Sequence, residues 1–92
     1  MIFEIIKERK CEKLVAFFKS LGYNGYRSIA FPSNSVYIRM PVSKMIVVYT
    51  KVFGYTVHYY NDVTDNMEPT IFEDADLEFI ESIIKSIENY ED

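Results

Sequence analysis

Between Tyr26 and Tyr60 the chain runs through apolar, β-branched segments separated by connections too short for anything but reversals. Tyr26 to Phe31 predicts a strand closed by Pro32-Ser33-Asn34, a run with turn chemistry. Val36 to Met40 alternates Val36, Ile38 and Met40 against Tyr37 and Arg39, and Pro41, which lacks a ladder donor, ends it. Met45 to Val52 follows, Phe53-Gly54 reverses the chain, and Tyr55 to Tyr60 returns. Parallel pairing needs crossovers for which this segment has no room. The segment therefore predicts an antiparallel meander of about four strands.

Helical signals flank it. Cys11, Leu14, Phe17, Phe18 and Leu21 recur at helical spacing, and Gly22 supplies the left-handed residue that follows a helix end. Earlier positions of the same face hold Lys7 and Lys10, so residues 1–6 read either as a loosely packed helical turn or as a short strand. Asn61 to Pro69 reads as a polar loop. From about Asp74 to Tyr90 the apolar stripe Leu77, Ile80, Ile83, Ile84 and Ile87, with Phe79 beside it, predicts an amphipathic helix. Thr70 and Glu73 have capping-box spacing ahead of it. The expected architecture is α+β: both helices on one face of the sheet, a two-layer sandwich with Leu14, Phe18, Ile80, Ile84 and Ile87 in its core.

With 92 residues, the expectation is a single domain over 1–92. One cysteine excludes an internal disulfide, and one histidine excludes a multi-histidine metal site within one chain. No apolar run approaches the roughly 20 residues that span a bilayer, so no membrane partner is expected. Met1 to Ile6 is interrupted by Glu4 and followed by the charged Lys7 to Lys10, which is not a secretory signal pattern, and the expected location is cytoplasmic. Cys11 reads as a core residue, and His58 alternates with Thr56 and Tyr60 on a half-exposed face. No activated nucleophile, acid–base pair or phosphate loop can be assembled, since Gly22, Gly25 and Gly54 are scattered. Neither an enzyme nor a cofactor or metal is expected. Tyr37, Arg39, Tyr49, Lys51, His58 and Tyr60 could stack on single-stranded nucleic acid. There is no RNP-type motif, however, strand propensity alone favours tyrosine, and the net charge is −4; direct nucleic-acid binding is not expected.

Charge is segregated along the chain. Residues 1–51 carry a net +6 and residues 52–92 a net −10. Asp74, Glu78, Glu81, Lys85, Glu88 and Asp92 step by four and three residues, which places all six on one helix face. Neighbouring like charges, and anions at a helix C-terminus, each cost a few tenths of a kcal/mol. The plain explanation is a solvated face that keeps the protein soluble. The sharper one is imitation of a polyanion: the predicted helix rises about 27 Å from Asp74 to Asp92, a length over which a DNA strand carries about eight phosphates. Asp62, Asp65, Glu68 and Glu73 extend the face upstream, and Glu91 extends it at the end.

In its length, its Tyr/Phe/Ile/Lys-rich composition and an acidic C-terminal half ending Glu88-Asn89-Tyr90-Glu91-Asp92, the whole chain resembles the anti-restriction nuclease proteins of T4-type phages. That resemblance implies a dimeric DNA mimic, acting in the host bacterial cytoplasm, that blocks a modification-dependent restriction nuclease of the McrBC type. The expected function is thus a binding-only inhibitor whose carboxylates (Asp62, Asp65, Glu68, Glu73, Asp74, Glu78, Glu81, Glu88, Glu91 and Asp92) occupy the basic DNA-binding surface of a host protein. A homodimer is expected, because eight tyrosines and seven phenylalanines exceed the needs of one small core. The alternative is a small protein–protein adaptor or regulatory subunit that uses sheet aromatics as its contacts.

Overall fold

A computed structural model of the chain describes residues 2–27, 34–40, 44–61 and 68–89. The elements run α1 (Ile2–Ser20), β1 (Ser35–Met40), β2 (Lys44–Thr50), β3 (Tyr55–Tyr60), β4 (Thr70–Ala75) and α2 (Leu77–Glu88). The strands form one antiparallel sheet in the order β1-β2-β3-β4. The fold is the α+β arrangement expected from the sequence, with four strands and a helix at each end.

Register separates the two faces of the sheet, since side chains alternate along each strand. Val36, Ile38 and Met40 of β1, Ile46 and Val48 of β2, and Tyr55 and Val57 of β3 share one face. They join Cys11, Leu14 and Phe18 of α1 and Ile80 and Ile84 of α2 in one buried cluster. Leu14, Phe18, Ile80 and Ile84 are fully buried; Ile87 packs at the margin, half-buried. Both helices therefore cover the same face. Each fully buried side chain of this size contributes roughly 1.5–3 kcal/mol.

α1 includes residues 2–6, which settles the choice between helix and strand in favour of helix. The first turns overhang the sheet, leaving Ile2, Phe3 and Ile5 exposed. The lysines that interrupt the apolar face have a structural use. Lys10 Nζ donates to the carbonyls of Lys51, at 2.8 Å, and Gly54, at 2.9 Å, and lies 4.5 Å from the centre of the Tyr55 ring. Burial among these groups, and then Lys13 nearby, lower its pKa. One turn on, the buried Thr50 hydroxyl meets the Lys7 and Asn34 carbonyls and the Cys11 thiol. At the other end, the Gly22 amide donates to Lys19 O and the Tyr23 amide to Phe18 O, which is a Schellman motif with Gly22 at φ 90°.

Three features differ from the sequence expectation. Of the strand predicted over Tyr26 to Phe31, Tyr26 makes a single antiparallel bridge to Tyr37, and Ser28 to Phe31 lie outside the described residues. Thr70 to Ala75 forms the fourth strand rather than a helix entry, so Thr70 and Glu73 make no capping box. The C-terminal helix begins at Leu77, three residues later than expected. Asp76 is its N-cap, extended in backbone, with its carboxylate accepting from the Phe79 amide at 2.8 Å.

Two stability measurements check this packing. Ile84→Ala should lower the unfolding free energy by roughly 2–5 kcal/mol in urea titration, as expected for a fully buried isoleucine. Gly22→Ala should cost about 1–2 kcal/mol. Nothing lies within 4 Å of an added Cβ there, so that loss reports the left-handed backbone alone.

Candidate functional site

The acidic residues gather on the β4–α2 unit. Within residues 68–89, Glu68, Glu73, Asp74, Asp76, Glu78, Glu81 and Glu88 face a single base, Lys85. Glu81 is half-exposed and the other six are exposed. β4 is the strand farthest from β1. α1 packs over β1 and β2, whereas α2 reaches β4 through the edge-on contact of Phe79 with Phe72, whose ring centres are 5.3 Å apart. The charge asymmetry along the chain thus becomes an asymmetry across the sheet, with the basic helix over one side and the acidic unit at the other.

The six-residue helical stripe read from the sequence is not one stripe. Glu78, Glu81, Lys85 and Glu88 share a face of α2, but Glu73 and Asp74 belong to β4, and Asp62, Asp65, Glu91 and Asp92 lie outside the described residues. Twelve helical residues rise about 18 Å, less than the length expected from Asp74 to Asp92. Lys85 Nζ lies 3.2 Å from Glu81 Oε1 and offsets part of the charge. Glu88 approaches the Tyr23 phenol, whose pKa is raised by burial first and by this carboxylate second. The ladder between β3 and β4 shifts at Tyr55/Val57: Tyr55 opposes Ala75 and Val57 opposes Phe72, so both Glu73 and Asp74 stand opposite Thr56. Asp74 takes φ 55°, the left-handed conformation that aspartate tolerates better than most residues. Asp76 joins the same acidic group; its signal was an N-cap residue directly before the apolar run.

On the basic side, the Glu8 carboxylate accepts from both terminal nitrogens of Arg27. This hydrogen bonding is the main cause that lowers the Glu8 pKa and raises that of Arg27. The pair is solvent-exposed, and pairs of this kind contribute little to stability.

Among the described residues, no helix covers the opposite face of the sheet. Tyr37, Tyr49, Thr56, His58 and Tyr60 line it, as the strand registers require. Tyr26 sits against Tyr37 with ring centres 5.5 Å apart, and Tyr49 against His58 at 4.6 Å. Burial pushes the His58 pKa below its ordinary value and the Tyr49 pKa above its own. Cys11 is fully buried in the helix-side core, remote from this face. Among the described residues no group of three or more His, Cys, Asp and Glu side chains could hold a metal ion, and no helix is long and apolar enough to cross a membrane.

His58 makes a pH prediction. Its depressed folded pKa means that the unfolded chain takes up the proton first as pH falls. Its contribution to stability is therefore present above the unfolded value near 6.5 and is lost as pH falls through that value toward the folded one. The imidazole resonance should titrate with a midpoint below 6.5, and His58→Asn should reduce the loss of stability between neutral and mildly acidic pH.

Comparison with protein-family models, with curated proteins and with solved structures returned no match to the chain.

Proposed function

We propose that the protein is a non-enzymatic inhibitor whose acidic β4–α2 unit docks on a basic surface that its partner otherwise uses for DNA. The observation behind this reading is the concentration of seven carboxylates against one lysine over residues 68–89, five of them on two consecutive elements at one side of the sheet and Glu68 and Asp76 beside them. Clustered exposed charge of one sign speeds encounter with the opposite sign and repels wrong partners. Glu78, Glu81 and Glu88 span about 15 Å along α2, a length that carries four to five phosphates on one DNA strand. Glu68, Glu73, Asp74 and Asp76 widen the surface toward β4. The chain's resemblance to anti-restriction nuclease proteins of T4-type phages names a target for this surface: a modification-dependent restriction nuclease of the host, met in the bacterial cytoplasm.

A homodimer would lengthen the negative surface beyond one protomer. The β1 side of the aromatic face, where the half-exposed Tyr26 sits against Tyr37, is the surface on which two copies would meet. That same face favours the adaptor as second reading, because tyrosines are among the residue types that anchor protein interfaces.

The decisive variant replaces Glu78, Glu81 and Glu88 together with glutamine. Side-chain volume and helix propensity change little, and the exposed Glu81–Lys85 pair is worth under about 1 kcal/mol. Folding should be retained. Binding to the nuclease should weaken at least tenfold, mainly through slower association, and wild-type binding should weaken as salt rises. DNA should compete for the same surface. Unchanged binding by the triple variant, without competition from DNA, would reject mimicry and leave the adaptor.

A further inference from the structure

At the β2–β3 hairpin the aromatic face of the sheet holds a groove of about 610 Å³, within the range of small-molecule sites. Thr56 lies in it, 6 % exposed, and its Oγ1 has no hydrogen-bond partner. Buried polar groups are nearly always paired, so an orphaned hydroxyl that lines a groove calls for a ligand to complete it. The bulge in β4 lies beside it. Two residues, Glu73 and Asp74, stand opposite Thr56, the ladder is interrupted there, and Glu73 lines the groove.

The other walls define what fits. Tyr49 pairs with Thr56 across the strands, and its ring meets that of His58, giving an aromatic wall. Ile71, opposite His58, adds an apolar edge. Lys51 and Lys7 line the end nearest the hairpin turn. Val47 is opposite His58, and from Val47 to Lys51 β2 and its exit run about 14 Å. Hence the groove has an aromatic, hydrogen-bonding end and a cationic end.

We propose that this groove binds a small planar ring with a hydrogen-bond-donating edge and an anionic tail. The ring lies against Tyr49 and His58, its edge meets the Thr56 hydroxyl and the Glu73 carboxylate, and the tail reaches Lys7 and Lys51. Glu73 is an acceptor only, which selects a donor edge, and the two ammonium groups select the anion. A nucleoside monophosphate and an aromatic carboxylate both carry this chemistry.

The test is NMR titration of the full-length protein with cytidine monophosphate, with 4-aminobenzoate and with inorganic phosphate. Saturable shifts at Tyr49, Thr56 and His58 are expected with one of the ring probes and not with phosphate; which ring probe saturates identifies the source. Thr56→Val should weaken that binding about tenfold, the effect of one lost hydrogen bond, while Thr56→Ser should keep it. In the free protein Thr56→Val should raise the melting temperature, because it removes an unpaired buried hydroxyl, and this shows that lost binding is not lost folding. Lys51→Gln should weaken cytidine monophosphate but leave cytidine unchanged. No saturable shift with either ring probe, equal shifts with phosphate alone, or undiminished binding by folded Thr56→Val would each overturn the proposal.

Discussion

Thr50 stands where α1, the turn ahead of β1 and the end of β2 meet, and its hydrogen bonds tie the three together. The residue is fully buried. Its amide donates to Asn34 O at 2.9 Å, and Asn34 Nδ2 returns a bond to Thr50 O at 2.8 Å. The hydroxyl has one proton, directed to Asn34 O at 2.9 Å in preference to Lys7 O at 3.3 Å, and its lone pair faces the Cys11 thiol at 3.6 Å. One turn of helix away, Lys10 closes over the carbonyls of Lys51 and Gly54. These directional contacts fix the end of α1 over the hairpin, where apolar packing alone would let the helix slide. With that end fixed, Leu14 and Phe18 fall over the inner face of the sheet, and the outer face is left to the aromatic residues.

The elements that could be read from the sequence are those whose burial follows a simple period. β1 alternates cleanly, and α2 carries an apolar stripe whose buried members, Ile80 and Ile84, are one turn apart. β4 could not be read that way. It is an edge strand, four of its six residues are exposed, and its only buried residue is Ala75. The sequence Thr70-Ile71-Phe72-Glu73 consequently resembles a helix entry as closely as a strand. Taking Asp74 as helical joined it to the face of Glu78 and Glu81, whereas the left-handed backbone at Asp74 sets it apart from them.

The groove depends on relations that no single segment carries. Thr56 faces a one-residue offset between β3 and β4, and Tyr49 and His58 come together through the β2–β3 register. The alternation of Thr56, His58 and Tyr60 did locate their common face from sequence. It could not show that a lysine from α1 would line the same space. The acidic unit is the opposite case: chain order alone gathers it, since β4 and α2 are consecutive and separated by Asp76 alone.

The β4 edge has a further consequence. Among the described residues its outer side has no strand partner, so it presents the unpaired amides and carbonyls on which another strand could grow. Glu73 and Asp74 put two negative charges on that edge, and the bulge at the same place breaks its regular hydrogen-bonding repeat. Two such edges brought together would oppose like charges and mismatched ladders. The exposed carboxylates of β4 therefore disfavour growth of the sheet by strand addition between copies.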